Sequence, residues 1–421
     1  MQCERITLAG DPAALASELR SLVPATESVG GVVAEIIARV RAGGDDAVRF
    51  YTRQFDTGGT QPAAVEIPEP ELETAAARLP TEIRDALQQE ADHVRRVAEA
   101  ALGSEQAVGF DGHTVTLREV PVGSAAIYVP GGRAPYPSTV VMGVVTARAA
   151  GVERVSVCSP PSSNGDIDPV VLAACQLAGA SAVFRMGGAQ AIAALAYGTQ
   201  TVSAVDVIVG PGNLYVQEAK RQVSAQVGID GFAGPSDLMV LAGADADPAA
   251  LALDLLAQAE HGAGTLVVGV SPAAELLDAV AEQIEAEEDW GAVARLVQVS
   301  DAAQGLALAE AFAPEHLELV GEELEELAGS VTRAGCLFVG SASATAFGDY
   351  IAGSNHILPT GGTARFASAL SPANFRRRFA EVRVGEGASA LARAAAPLAR
   401  AEGFELHARS MEARIRDNGE R

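Results

Sequence analysis

From His113 onward the chain alternates short apolar runs with longer runs whose apolar residues recur at helical spacing. SAAIYV, RVSVCS, SAVFRM and VDVIVG are the short runs of a first series; LMVLA, TLVVGVS, RLVQVS, LELV and CLFVG are those of a second. Between them lie segments such as STVVMGVVTARAAG, DPVVLAACQLAGA and DPAALALDLLAQAEHG, which are helical in length and period. A short run without polar alternation reads as a strand buried on both faces, and a helix between two such strands makes them parallel. The chain is therefore expected to form two α/β domains with mostly parallel sheets. Its first part reads differently: Val29 to Arg41, and Pro70 to Leu102 with a break at Pro80, are amphipathic helices, and HTVTLREV is a strand. Past Pro372 the chain turns Arg- and Ala-rich and is expected to be helical.

Composition narrows the function. Of 421 residues, 48% are apolar and 20% charged, as in globular and unlike disordered proteins. The net charge of −24 repels phosphate backbones and anionic lipid surfaces, so neither nucleic acid nor a membrane is expected as a partner. The longest basic run is Arg376-Arg377-Arg378. Lys220 is the single lysine, and the preference for Arg elsewhere reads as genomic base composition and not as function. Cys3, Cys158, Cys175 and Cys336 are scattered without a CxxC pair, which fits a reducing, cytoplasmic setting without disulfides. No secretory leader is expected, since Met1 to Gly10 carries Glu4 and Arg5 and no apolar run. No run approaches the ~18–20 apolar residues of a membrane span.

Four Gly-rich loops end apparent strands: Pro130-Gly131-Gly132, Gly187-Gly188-Ala189-Gln190, Gly210-Pro211-Gly212-Asn213 and Gly234-Pro235-Ser236. In open α/β sheets, ligands bind beyond the carboxyl ends of strands, where helix N-termini present N–H groups. None of the four is a dinucleotide fingerprint. After Gly210 and Gly212 the third glycine position is Tyr215, and Gly385-Glu386-Gly387-Ala388-Ser389-Ala390 matches by letter only, with no second strand following. Ligand binding and simple punctuation are equally supported.

Of the six histidines, His93 and His113 read as solvated, whereas His261, His316, His356 and His407 sit at loops or helix ends beside polar residues. Gln258 and His261, three apart near a helix end, project from one face. Asp349 and His356 flank Gly353-Ser354-Asn355, and His407 lies in EGFELHARS. Imidazole and carboxylate without thiolate suit Zn²⁺, yet neither HExxH nor a Cys pattern is present. Spacing alone leaves a metal site and ordinary polar ends both open. In Pro314-Glu315-His316, either Glu315 caps and His316 is half-exposed, or the two form a general-base pair in a cleft.

Taken together, GDDAVRFYTRQFD, YVPGGRAPYPSTVVM, RMGGAQAIAALAYGT, VDVIVGPGNLYVQEAKRQV, AGPSDL, LLAQAEHG, FAPEHLELV, GDYIAGSNHILPTGGTARF and AEGFELHA resemble the histidinol dehydrogenase family over nearly the whole chain. The resemblance implies oxidation of L-histidinol to L-histidine through bound L-histidinaldehyde, the last two oxidations of histidine biosynthesis, with NAD⁺ as acceptor and one zinc per site. It implies Gln258, His261, Asp349 and His407 as zinc ligands, the last supplied by the other subunit of a homodimer. His316 would deprotonate the alcohol and Glu315 would activate the water that hydrates the aldehyde, with no cysteine involved. Ser236, His356 and Glu402 would contact the substrate beside His316 and the metal ligands; Glu402 is preferred to Glu405 because it lies five residues before His407. Tyr128, Gln190 and Asn213 would contact NAD⁺.

The implied fold is a pair of Rossmann-like doubly wound domains with small helical N- and C-terminal segments. Residues 1–20 would be an N-terminal arm, 21–127 with 239–370 the domain of the catalytic pair, 128–238 the NAD-binding domain, and 371–421 a dimerisation segment. Asp237 stands where the family has Glu, a change tolerated if the carboxylate only orients a loop. Relatives acting on a sulfonated diol share the zinc and PEH motifs; GGTARF and the AEGF-to-His spacing favour histidinol.

Overall fold

The computed structural model describes residues 1–23, 29–60, 64–131, 134–232 and 234–416; Gly132, in one of the Gly-rich loops, lies outside them. The chain divides into two compact units, Met1–Ala101 with Val122–Phe375, and Leu102–Pro121 with the stretch from Arg376 onward.

The first unit holds two parallel sheets. One has six strands in the order Cys3–Thr7, Val293–Gln298, Leu266–Ser271, Asp237–Ala242, His316–Val320 and Cys336–Val339. The other has five, in the order Ala182–Arg185, Arg154–Ser159, Ser124–Tyr128, Val207–Val209 and Gly228–Ile229. Successive side chains on a strand point to opposite faces. Leu238 and Val240 accordingly enter one core while Met239 and Leu241 enter another, and Ala125 and Ile127 separate from Ala126 and Tyr128 in the same way. Both sheets are thus covered on both faces, as unbroken apolar strands require. Covering helices start at Asp-Pro steps: Asp11, Asp168 and Asp247 each accept a backbone N–H of the helix they cap, with proline in the first turn.

Which helices cover which sheet differs from the division expected from sequence. Cys3–Thr7 is an edge strand of the six-stranded sheet, and the helix Pro12–Ser21 packs on the helix Ala302–Phe312, so the first residues are integral to that layer and are not an arm. The helices between Gly30 and Ala100 cover the five-stranded sheet. Val33, Ile36 and Val40 join the core of Ile192 and Leu195, and Leu87, Ala91 and Val94 join that of Val141 and Val144. An amphipathic stripe shows that a helix has a buried face; it does not show which sheet receives it.

The second unit departs further. Arg376–Val384 is a strand, not a helix, and pairs antiparallel with His113–Pro121, which pairs in turn with Gln106–Phe110. The arginines hold it: Arg376 and Arg378 both meet Glu119, and Arg118 meets Glu381. Cross-strand charge pairs of this kind offset the poor strand propensity of a basic run. Two helices follow, Ala388–Ala401 and Glu405–Glu412. The acidic segment expected to be helical from Glu322 to Arg333 is helical only at Glu322–Glu325, with a 3₁₀ turn at Ala328–Ser330. No helix among the described residues is long and apolar enough to cross a membrane, and the four cysteines are free.

One contact in the five-stranded layer admits no side chain. A Cβ on Gly143, in the helix Pro137–Ala149, would stand 2.5 Å from the Cγ2 methyl of the fully buried Ile127. Gly143→Ala is expected to destabilise the fold by about 1–3 kcal/mol, because overpacking exceeds the gain in helix propensity. Thermal unfolding checks this; an unchanged or raised midpoint would mean that the layer can spread.

Candidate active site

A cavity of about 490 Å³ opens between the edges of the two parallel sheets, within the size range of small-molecule sites. The five-stranded sheet presents its carboxyl edge, with Pro130 after Ser124–Tyr128 and Gly210-Pro211-Gly212 after Val207–Val209. The six-stranded sheet presents the opposite edge: Ser236 precedes the strand Asp237–Ala242, and Glu315 precedes the strand that His316 opens. The expectation of ligands at carboxyl ends therefore holds for one sheet only. The helix Pro248–Ala259 returns antiparallel to its strands, so its C-terminal Gln258 and the following His261 come to the amino edge.

At that edge Glu315 and His316 are both buried, which decides against a cap with a half-exposed imidazole. Glu315 Oε2 accepts from Ser236 Oγ at 2.5 Å and from the Asp237 N–H at 3.0 Å. The Glu315 N–H donates to Asp237 Oδ1 at 2.8 Å, and Gln258 Nε2 donates to Ser236 Oγ at 2.5 Å. Asp237 thus orients the loop. Its carboxylate is paired with Arg20 at 2.5 Å, whose guanidinium also donates to the Phe312 carbonyl at 2.9 Å and the Ala313 carbonyl at 3.2 Å and lies 3.5 Å over the Phe312 ring. These bonds fix the turn into Pro314, where Ala313 holds φ at 51°. Left-handed backbone costs an alanine about 1 kcal/mol, so the turn needs such support.

The His316 ring stands between two carboxylates, with Nδ1 3.8 Å from Glu315 and Nε2 3.7 Å from Asp349. Burial pushes the Glu315 carboxyl up to about 7, helped by the charge of Asp237 and opposed by His316 and the bonds from Ser236 and Asp237. Burial works to lower His316, but the charges of Glu315 and Asp349 outweigh it and raise the ring to about 9. The two carboxylates therefore favour a proton on the imidazole. A general base must lose it, and a ligand that brings positive charge between the carboxylates removes the reason for keeping it. Burial also works to raise Asp349, yet His316, His356 and His261 hold it below the ordinary range, so it is ionised. His356 is kept neutral by burial; its Nδ1 faces the Asp349 carbonyl at 3.1 Å and its Nε2 faces Thr139 Oγ1 at 2.9 Å.

The structure thus brings together Ser236, Gln258, His261, Glu315, His316, Asp349 and His356. Among the described residues, no three His, Cys, Asp or Glu side chains cluster to hold a metal. Of the ligands expected from sequence, only His261 and Asp349 in this unit are of those types; Gln258 offers an amide. Glu402 and His407 belong to the second unit, where both are exposed, and Glu405 is engaged by Arg400 at 3.0 Å. Tyr128 and Gln190 are buried behind the glycine loops. The Tyr128 hydroxyl accepts the Gly188 N–H at 3.1 Å, and Gln190 donates to Asp56 at 3.3 Å. Burial raises that Asp56 carboxyl to about 7, against the Gln190 bond. Asn213 is exposed and caps the helix Leu214–Val223. His93 and His113 are half-buried: His93 Nδ1 meets the Ile351 carbonyl at 2.7 Å and His113 stacks on Phe110 at 4.4 Å.

Sequence reasoning missed Arg20, which carries no local signal because its partner lies 217 residues away. It also missed the pair Lys220 and Asp230 at the cavity wall, for which the lone lysine after a glycine loop was a signal.

A buried acid and imidazole facing a cavity between two parallel sheets are the features of an α/β enzyme that acts on a small molecule. The sequence pattern of histidinol dehydrogenase matches residues 22–415, and the chain belongs to that family. It is 44% identical to the histidinol dehydrogenase of Parasynechococcus marenigrum (strain WH8102) over 95% of both chains. It is 45% identical to that of Pseudomonas aeruginosa, covering 94% of this chain and 92% of the relative. The crystal structure of histidinol dehydrogenase from Elizabethkingia anophelis superposes with a TM-score of 0.90 at 29% identity, over 99% of this chain and 98% of that one.

Replacing Arg20 leaves the Asp237 carboxylate buried without its partner and the Ala313 turn unheld. Because Arg20 is about a quarter exposed, the loss in Arg20→Ala is expected at about 2–4 kcal/mol, with Arg20→Lys recovering only part of it. Urea unfolding of the three proteins measures this; equal stability would mean that Asp237 needs no counter-charge.

Proposed function

We propose that this chain oxidises L-histidinol to L-histidine through bound L-histidinaldehyde, passing a hydride to each of two NAD⁺ in turn. The observation that carries the reading is the buried Glu315 and His316 pair, opening on the same cavity as Ser236, His261 and Asp349. In the first step His316 takes the hydroxyl proton as a hydride leaves the carbinol carbon, giving the aldehyde. In the second, Glu315 takes a proton from a water that adds to the aldehyde carbon, and the hydrate loses a second hydride to become the carboxylate. The balance is one alcohol, one water and two NAD⁺ to one carboxylate, two NADH and three protons. Ser236 and the Asp237 amide hold Glu315 in place for its role. No thiol is needed, and burial raises the Cys158 and Cys175 thiols, which disfavours the thiolate.

The donor set fits a zinc ion. Asp349 is ionised and faced by His261, and Gln258 sits one turn from His261 at the same helix end. Gln258, His261, Asp349 and His407 would hold the metal, which supplies a template for the imidazole and amine of the substrate. His356 and Glu402 are the further substrate contacts, the latter favoured because Arg400 occupies Glu405. Tyr128, Gln190 and Asn213 act on NAD⁺ through the loops they hold, in keeping with the burial of the first two. His407 and Glu402 are supplied by a partner subunit in a cytoplasmic homodimer. The second unit exposes Phe110, Leu117, Val382, Val384, Phe404 and Leu406, an apolar surface of the kind that subunit contacts cover.

The purified protein should form two NADH per L-histidinol, lose this on chelation and regain it with Zn²⁺. No turnover of histidinol with turnover of a sulfonated diol would keep the acid–base pair and assign another substrate. Glu315→Gln should spare alcohol oxidation more than oxidation of added histidinaldehyde, measured in single turnovers; equal losses would contradict separate roles. Mixing Glu315→Gln with His407→Ala should restore activity in verified mixed dimers, whereas no recovery would place each site within one chain.

A further inference from the structure

Lys220 is the single lysine among 30 Lys and Arg residues, so a bias that made every other cation an arginine stops at one position. That position is buried to 1% exposure on the helix Leu214–Val223 and lines the active-site cavity. Lys220 Nζ donates to the Gly210 carbonyl at 2.5 Å and to Asp230 Oδ1 at 2.7 Å. Asp230 in turn accepts the Gly210 N–H at 2.7 Å on Oδ2 and the Gly231 N–H at 2.9 Å on Oδ1. One ion pair therefore captures both backbone groups of Gly210. That residue is held at φ +115°, where a Cβ would stand 2.1 Å from the Tyr128 carbonyl oxygen. Gly210 opens the Gly210-Pro211-Gly212-Asn213 loop that walls the cavity on the side of the five-stranded sheet. Among the described residues lining the cavity, Lys220 is the only Lys or Arg, in a chain of net charge −24.

We propose that Lys220 is a positioning residue for the dinucleotide: with Asp230 it sets the Gly210–Asn213 loop in the shape that accepts the pyrophosphate-bearing cofactor. This rests on the reading of that loop as the NAD⁺ contact. An ammonium suits the place because it gathers three donors on one compact nitrogen at the end of a flexible stem, whereas a guanidinium spreads its donors over a wider planar fork that a fully buried position would have to accommodate. Removing either partner leaves the other charge buried, and the loop loses both anchors of its first residue.

The test compares Lys220→Arg and Lys220→Ala with the parent holoenzyme by NADH fluorescence titration and by kinetics with each substrate varied. The expected result is a rise of about tenfold or more in the Kd for NADH and the KM for NAD⁺ in both variants, with the histidinol KM within about twofold of the parent. Ethylammonium, but not guanidinium, should recover part of the NADH affinity of Lys220→Ala. Parental NADH affinity in Lys220→Arg overturns the proposal. So does a loss that raises both KM values alike and lowers the melting temperature with them, which marks a structural lysine. If the lysine variants do not fold, Asp230→Asn decides, and unchanged NADH affinity there also overturns it. A parent chain that binds no NADH removes the cofactor reading itself, and is told apart because no variant is involved.

Discussion

Two carboxylates, Glu315 and Asp237, are buried against each other at the amino edge of the six-stranded sheet, and each holds the other's backbone amide. Burial raises the affinity of Glu315 for a proton, and the charge of Asp237 adds to the effect. Arg20 makes the arrangement stable by neutralising Asp237, which leaves Glu315 as the member that can take up or release a proton near neutrality. The position of the loop and the left-handed turn at Ala313 rest on the bonds that this ion pair makes. The Asp237 side chain reaches both Arg20 and the Glu315 amide.

The two sheets divide the work by polarity. The carboxyl edge of the five-stranded sheet presents glycine loops and helix starts, where backbone N–H groups favour an anionic cofactor. The amino edge of the six-stranded sheet cannot offer that, because its helices end there. What it offers is side chains in fixed places: an imidazole at the first residue of a strand, a carboxylate just before it, and an amide and imidazole at a helix end. The buried acid and imidazole are thus held on rigid elements, and the loops across the cavity offer backbone N–H groups.

Much of this was legible in the sequence, and what was not has a common physical cause. The strands and helices from Ser124 to Val339 follow from local periodicity, apart from the short strand Gly228–Ile229 and the acidic stretch after Glu322, and PEH, QAEH and GDY mark polar groups that meet at the cleft. Pairings between distant residues were hidden. Nothing near Arg376 announces Glu119, and nothing near Arg20 announces Asp237. The same holds for the helices from Gly30 to Ala100, whose apolar faces were evident while their host sheet was not. Lys220 is the exception, since its rarity was visible and was put down to composition.

The second unit is sewn from two stretches of chain whose pairing joins residues 257 positions apart. Synthesis runs from the N-terminus, and a domain folds once its own residues have emerged. Both parallel sheets can close while the hairpin Gln106–Pro121 still waits for a third strand that is among the last parts made. An incomplete chain released early would therefore carry a finished acid–base cleft but lack Glu402 and His407. The order of manufacture puts the strand Arg376–Val384 and the two helices after it last, so a truncated product is left with an unpaired hairpin edge.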